Sequence, residues 1–307
     1  MENSDKRAQF NWQTFLSLAV AALLVTVVLA AVRGNFSVAE FQTLLKRLPY
    51  ILIGNQAGWS IKGGFALNII ISLACMAIAT TLGTFLGLAQ IAPQRIIRWI
   101  AWFLTQFFRN SPWLVILYVM LYLLPFQLKL GFATIEFSPV AKSIIGLSLV
   151  VAANISEIVR GGIQSIPSGQ WEAAEAMGYT RRQILQLVIL PQAVRRMIPP
   201  WMNWYAILTM GTTLTNLVGV PEGLTAVREV LEVEGEGLAI PLYTVLMLLF
   251  FIYCYPIARW TKELEWRMEN GELRIENWEL GMENGEWRME NGEWRMENNQ
   301  QQITNNK

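Results

Sequence analysis

Asn154, Ser156, Glu157 and Arg160 interrupt one aliphatic stretch of the chain, and Asn203, Thr209, Thr212, Thr213, Thr215 and Asn216 interrupt another. Polar groups are costly inside hydrocarbon, so they persist there only where they face protein, water or a passing solute. Such groups can meet the charged ends of a zwitterion. They can equally hydrogen-bond one helix to the next, which is the commoner use of a single threonine. Asn154, Thr212, Thr213 and Asn216 are assigned to a solute pathway. Glu157 and Arg160, one helical turn apart, are read as a structural ion pair. Other chemistry is excluded by composition. The chain has no histidine, which removes the commonest metal ligand and the Ser/His/Asp and Cys/His nucleophilic pairs. Cys75 and Cys254 both lie in apolar runs and read as small buried hydrophobes. No G-x-x-x-x-G-K-[ST] segment exists to cradle a phosphate. No catalytic residue, cofactor or metal is expected, and the chain is not read as an enzyme.

A second group of residues suits docking. GQWEAAEAMGYTRRQILQLVILPQAVRR, from Gly169 to Arg196, is charged at both ends and apolar in the middle. Ser168 is read as the N-cap of a short helix carrying Glu172, Ala173 and Ala174. Gly178 allows a sharp turn. Thr180 and Gln183 fit a capping box, with Thr at N-cap and Gln at N3. A second helix then runs to Leu190 and is expected to stop at Pro191. The small alanine face, the bend and Arg181 and Arg182 suit insertion into a groove on a partner. The bland alternative is an amphipathic pair lying on the membrane or under its own bundle.

The elements that hold these residues are membrane-spanning by composition. The 307-residue chain is 53% hydrophobic and only 15% charged, with mean hydropathy +0.35. Soluble proteins carry about 25% charged residues. The net charge of +1 gives no pull toward nucleic acid. Six spans are expected, at about Phe10–Val32, Phe65–Ile91, Pro112–Pro125, Ala141–Ile158, Pro199–Val220 and Leu238–Arg259. Gln94–Phe108 is read as an interfacial lead-in to the third. A cleavable signal peptide is the rival reading of the first, which is longer than a usual signal core. Arginines crowd the loops after spans two and four, whereas Glu222, Glu229, Glu232, Glu234 and Glu236 dominate the loop after span five. The positive-inside rule therefore puts both termini and the Gly169–Arg196 segment in the cytoplasm. Arg33, Lys46, Arg47 and Lys62, between spans one and two, run against this assignment. After Arg259 the composition changes to a seven-residue repeat, clearest in MENGEWRMENGEWRMENN from Met282 to Asn299. Its Asn-Gly steps weaken helix and favour turns, so residues 263–307 are expected to be a low-complexity extension without fixed structure.

The segment from Glu172 to Pro191 closely resembles the cytoplasmic signature loop of ABC importer permeases. FFRNSPWLV (Phe107–Val115), SEIVRGGIQSIPSGQWEAA (Ser156–Ala174), LPQAVRRMIPPWMNW (Leu190–Trp204) and TTLTNLVGVPE (Thr212–Glu222) are similar to stretches of the polar amino acid branch. The resemblance covers about Gly63–Tyr255 and implies an all-α fold with a five-helix permease core over residues 63–262. One added N-terminal helix and an external linker would occupy residues 1–62. It implies that Glu172, Ala173, Ala174, Gly178, Arg181 and Arg182 belong to a coupling helix seated in a separate cytoplasmic ATP-binding subunit. It further implies a second permease subunit, identical or related, and a periplasmic amino acid-binding protein, all at the inner membrane. Members of the branch often carry Lys-Asp before the residues matching Thr212-Thr213-Leu214, where this chain has Met210-Gly211. A stand-alone secondary transporter or channel is the alternative; no repeat across the spans and few midplane charges support it. Gly83 and Gly87 suit close helix packing, within the bundle or between subunits.

Overall fold

The computed structural model describes residues 38–55, 61–129, 134–283, 287–290 and 293–296. The expected first span and much of the repeat lie outside them. The chain is overwhelmingly helical. In order come α1 (Val38–Ile53), α2 (Gly64–Gln90), α3 (Arg95–Arg109), α4 (Trp113–Leu123), β1 (Gln127–Lys129), β2 (Thr134–Glu136), α5 (Pro139–Gln164), α6 (Ser168–Ala176) and α7 (Arg181–Gln183). A π-helical stretch (Ile184–Ile189) leads into α8 (Leu190–Gly211), a 3-10 segment (Thr212–Val218), α9 (Gly223–Glu234), a 3-10 turn (Glu236–Leu238) and α10 (Ala239–Glu283). β3 (Trp287–Glu290) and β4 (Glu293–Met296) follow. Both strand pairs are short antiparallel hairpins, a small departure from the expected all-α fold.

Three helical segments among the described residues are long and apolar enough to cross a membrane: Gly64–Gln90, Pro139–Gln164 and Glu236–Met268. They match the expected second, fourth and sixth spans. The third is a helix of 11 residues, about 16 Å at 1.5 Å per residue and short of a bilayer core. The fifth is α8 with the 3-10 segment, where Arg195, Arg196 and the threonines dilute the hydropathy. Six spans are therefore not counted among the described residues.

α2 and α5 form the spine. A Cβ added at Gly83 would lie 2.7 Å from Ala152 O, and one at Gly87 would lie 2.7 Å from Ser156 O. Only glycine lets the two backbones approach this closely, so the pair of glycines serves contact within the bundle. Around it Ile71, Cys75, Met76, Ala79, Leu147, Val151 and Ile155 form the main core, which reaches Ile184, Ile189 and Ala193 at the far end. α5 starts where Ser138 Oγ accepts from Ala141 N–H at 3.2 Å, with Pro139 in its first turn. Lys142, one turn on, is buried. Its Nζ donates to Leu121 O at 2.9 Å and Leu124 O at 2.6 Å, and lies 3.6 Å from the Phe126 ring centroid. A lysine cation thus caps the last carbonyls of α4 and ties that short helix to α5.

The stretch before α2, expected as a polar linker, contains α1. Phe41, Leu44, Leu45, Leu48, Ile51 and Leu52 recur at helical spacing, and Leu44 and Ile51 are buried against Phe65, Val227, Val230 and Leu242. Pro49 is tolerated inside α1. This helix also accounts for one of the discordant basic residues: Arg47 Nη2 lies 2.5 Å from Glu234 Oε1, and Tyr50 donates to Glu229. Arg47 therefore shares one side with the acidic loop and is neutralised by it. Residues Met1–Ala258 and Arg259–Lys307 form two separate units. In the second, α10 remains helical to Glu283, with Arg267 Nε 2.9 Å from Glu263 Oε1 one turn away. The start of the extension is thus helical where no fixed structure was expected, because pairs at i,i+4 spacing support helix. β3 and β4 flank Asn291-Gly292, a turn-forming dipeptide by sequence.

Replacing Gly87 by leucine forces α2 off α5. The variant should lose at least about 3 kcal/mol of stability, beyond ordinary overpacking. Thermal unfolding of the detergent-solubilised chain would read this; an unchanged transition would show that the fold does not depend on the close approach of α2 and α5.

Candidate functional site: the coupling loop and the polar pathway

The signature loop is a compact, defined structure. α6 begins at Ser168 behind Pro167, so Ser168 is the first helical residue and not the expected cap. α6 ends in a two-bond turn: Gly178 N–H donates to Glu175 O at 2.9 Å and Tyr179 N–H donates to Ala174 O at 3.2 Å. This closure needs a left-handed residue, which Gly178 supplies at φ 82°. Nothing lies within 4 Å of a Cβ built there, so the glycine is required by backbone shape and faces open space. The capping box is present. Gln183 N–H donates to Thr180 Oγ1 at 3.5 Å, and Thr180 N–H donates to Gln183 Oε1 at 2.9 Å.

The helix after the box does not stop at Pro191. The π-helical stretch hands over to α8 with Pro191 in the new helix's first turn, where a missing N–H is least costly. Ile184 and Ile189 are fully buried and anchor this stretch to the core. Arg196 Nη1 donates to Ser165 O at 2.8 Å, tying α8 to the end of α5. The loop is thereby held at both ends. Ala174 is 1% exposed and turned inward, so it packs the loop against its own bundle and leaves the outer face to others. Glu172, Ala173, Gly178, Arg181 and Arg182 are exposed, beside Met177 and Tyr179.

Above the loop a buried cluster joins three helices. Gln90 Nε2 donates to Thr105 Oγ1 at 3.0 Å and Ser156 Oγ at 3.2 Å, and these two hydroxyls lie 3.0 Å apart. Glu157 accepts from Arg160 at 2.6 Å and has Arg109 at 3.7 Å, the expected structural pair with a third member.

The four residues assigned to a pathway are each hydrogen-bonded within the chain. Asn154 is buried, and its Nδ2 donates to Val150 O at 2.9 Å. Thr213, half-buried, donates to Met210 O at 2.9 Å. Thr212 donates to Thr209 O at 2.7 Å and accepts from Asn68 Nδ2 at 2.9 Å. Asn216 donates to Thr225 Oγ1 at 2.8 Å and accepts from Arg228 at 2.7 Å. Thr212, Thr213 and Asn216 share the 3-10 segment, while Asn154 stands apart on α5. At Gly211, a Cβ would lie 2.4 Å from Trp113 Cζ3, and Trp113 stacks on Trp204 at 6.4 Å. An indole thus takes the space that a longer side chain at 211 would need.

Sequence reasoning missed the residues that anchor α2 to these elements. Asn68 bonds Thr212, Ser72 Oγ and Tyr205 Oη lie 3.4 Å apart, and Thr80 accepts from Trp201 Nε1 at 2.8 Å. Their spacing of four and eight residues on one helix was the available signal. Glu222, counted only as a loop charge, is fully buried. It accepts from Asn68 Nδ2 and Leu224 N–H at 2.9 Å and from Thr225 N–H at 3.0 Å, while Asn68 Oδ1 accepts from Gly223 N–H at 2.9 Å. Burial pushes its carboxyl above the usual range, against the donors of Leu224, Asn68 and Thr225.

The profile of a family described as binding-protein-dependent transport system inner membrane component matches residues 79–269. The chain belongs to that family. This permease is 37% identical over 159 residues to the probable amino-acid ABC transporter permease protein YckA of Bacillus subtilis (strain 168), across 52% of this chain and 68% of that relative. It is 30% identical over 230 residues to the L-cystine transport system permease protein TcyB of the same organism, across 74% of this chain and 94% of the relative. With the inner membrane amino-acid ABC transporter permease protein YhdY of Escherichia coli (strain K12), identity is 30% over 212 residues, 68% of this chain and 56% of that protein. The chain thus spans little more than half of YhdY's length. A crystal structure of an amino acid ABC transporter with histidines superposes with TM-score 0.63 at 20% identity, covering 74% of this permease and 98% of that chain. At that identity the likeness speaks for the fold. The permease is a multi-pass membrane component of a transport system, and the stand-alone transporter reading is set aside.

The Glu222 network carries a pH dependence. Its folded pKa is raised above the unfolded value, about 4.3, so the folded state holds the proton more tightly. Stability contributed by this group is full below the unfolded pKa and falls as pH rises through the folded one. Melting temperature of the full chain, followed from acid toward neutral pH, should fall less steeply in Glu222→Gln than in the wild type. Identical slopes would show that Glu222 does not titrate differently on folding.

Proposed function

We propose that this chain is the permease subunit of an ATP-driven importer that carries polar amino acids across the inner membrane. The observation carrying the proposal is the Glu172–Pro191 loop, a fixed pair of helices with Glu172, Ala173, Gly178, Arg181 and Arg182 outward. Its partner is a separate cytoplasmic ATP-binding subunit, whose ATP-driven closure moves the loop and through it α8. Ala174 contributes by seating the loop on its own bundle. A second permease subunit completes the pathway, and a periplasmic binding protein delivers the solute. Support for amino acids as cargo comes from the names of YckA, YhdY and TcyB. Both termini lie in the cytoplasm and the Pro221–Gly237 loop outside, supported by the arginine distribution and by the pairing of Arg47 with Glu234. Asn154, Thr212, Thr213 and Asn216 line the solute's route. Asn154 and Thr213 donate only to backbone on their own segment, which leaves their oxygens able to accept from an ammonium group.

Gly178→Arg should abolish amino acid uptake while membrane insertion persists. The variant puts a bulky charge into open space at the turn and strains a left-handed position. Co-purification of the ATP-binding subunit should fall with it. Cysteine at Thr180 should react with an impermeant reagent only in opened cells. Normal uptake in Gly178→Arg, or labelling of intact cells, would refute the coupling role.

Asn154→Leu and Asn216→Leu separate a route from helix glue. Uptake should drop by tenfold or so, the scale of one lost hydrogen bond to a charged group, with protein level held. Loss of protein in proportion to transport would make both residues structural.

A further inference from the structure

A cavity of about 740 Å³ opens beside the coupling loop, lined by Leu88 and Ile163 from the last turns of α2 and α5, by Trp171 of α6, and by Arg98, Arg181 and Arg182. None of these arginines has an ion-pair partner among the described residues. An adjoining cavity of about 460 Å³ shares Arg98 and adds Arg95, while the Glu157 on its wall is already held by Arg160. The lining thus combines arginines with apolar side chains. It sits where two membrane helices end, at headgroup depth. Beside it α3 turns apolar and aromatic side chains outward: Ile96 is 75% exposed, Trp99 62% and Trp102 50%. Aromatic residues of this kind favour the membrane interface.

We propose that this cavity binds an anionic phospholipid, its phosphate among Arg98, Arg181 and Arg182 and its chains along Leu88, Ile163 and the outward face of α3. A free anion would satisfy the arginines but leave the apolar wall wet. An acidic protein segment would meet the same charges but not the neighbouring Ile96, Trp99 and Trp102. Two of the three arginines belong to the coupling loop, so a bound lipid joins that loop to α3 through the headgroup. The lipid site goes beyond the importer reading; it rests on that reading for the leaflet, and it shares Arg181 and Arg182 with the face assigned to the ATP-binding subunit.

The test uses the full chain in detergent, given phosphatidylglycerol or phosphatidylcholine, with retained lipid counted by native mass spectrometry. Phosphatidylglycerol should be retained roughly a hundredfold over phosphatidylcholine, given about a fivefold gain for each of the three arginines near the headgroups. Arg98→Gln with Arg181→Gln should bring the ratio down to about fivefold, the share of Arg182 alone, whereas Arg98→Lys with Arg181→Lys keeps most of the preference and reports an intact fold. Arg267→Gln should leave it unchanged. Equal retention of both lipids by the wild type, or full preference in the glutamine variant, overturns the proposal. So does displacement of the lipid by equimolar glycerol 3-phosphate, which would assign the site to a free anion. Loss of ATP-binding-subunit co-purification in the glutamine variant, with lipid preference intact, would assign it to a protein partner. Lipid retention needs neither ATP nor uptake, so its failure leaves the importer reading standing, and failed uptake leaves the lipid result standing.

Discussion

The close approach of α2 to α5 at Gly83 and Gly87 is the contact on which the other placements depend. It brings Ser156 within reach of Gln90 and Thr105 at one end. It also aligns α2 so that Asn68, Ser72 and Thr80 meet the 3-10 segment and α8 along one line. α8 is therefore held to the spine by hydrogen bonds as well as by packing. In hydrocarbon this suits a helix that must stay registered with its neighbour, since apolar contact alone discriminates little between positions.

The two ends of the bundle are organised by different physics. At the acidic loop, carboxylates find partners: Arg47 pairs with Glu234, Tyr50 donates to Glu229, and Glu222 is buried as a cap on the first turn of α9. At the opposite end Arg160 and Arg109 share Glu157, while Arg98, Arg181 and Arg182 have no ion-pair partner among the described residues. One face is closed upon itself, and the other is left to meet something negative. This asymmetry is local, and the net charge of +1 conceals it.

Much of this was legible in the sequence. The capping box at Thr180 and the turn at Gly178 follow from local backbone chemistry, which a few neighbouring residues determine. The uncharged runs of α2 and α5 follow from the bilayer's demand for length and hydropathy. What escaped notice depended on distant partners. Glu222 looks like any loop glutamate until Asn68, 154 positions away, is found beside it. Lys142 looks like an interfacial cation until the carbonyls of Leu121 and Leu124 surround it. Pro191 looked like a helix end because an α-helical ladder was assumed, and a π turn before it changes the accounting of donors. α1 is masked by Lys46 and Arg47, which give the stretch a polar look although its apolar residues recur at helical spacing.

The continuity of the π-helical stretch with α8 has a mechanical meaning. From Arg181 to Gly211 the chain runs through helical turns, with Pro199 and Pro200 inside the last helix. A displacement applied at the short helices would pass along this path as translation and rotation, with Pro199 and Pro200 as the points where it can bend. A π turn holds more residues than an α turn, and passing one residue between the two would rotate everything beyond by roughly 100°, the angular step of an α-helix. The wide turn at Ile184–Ile189 thus lies between the short helices and the segment where Thr212 begins, at the place where such a step would act.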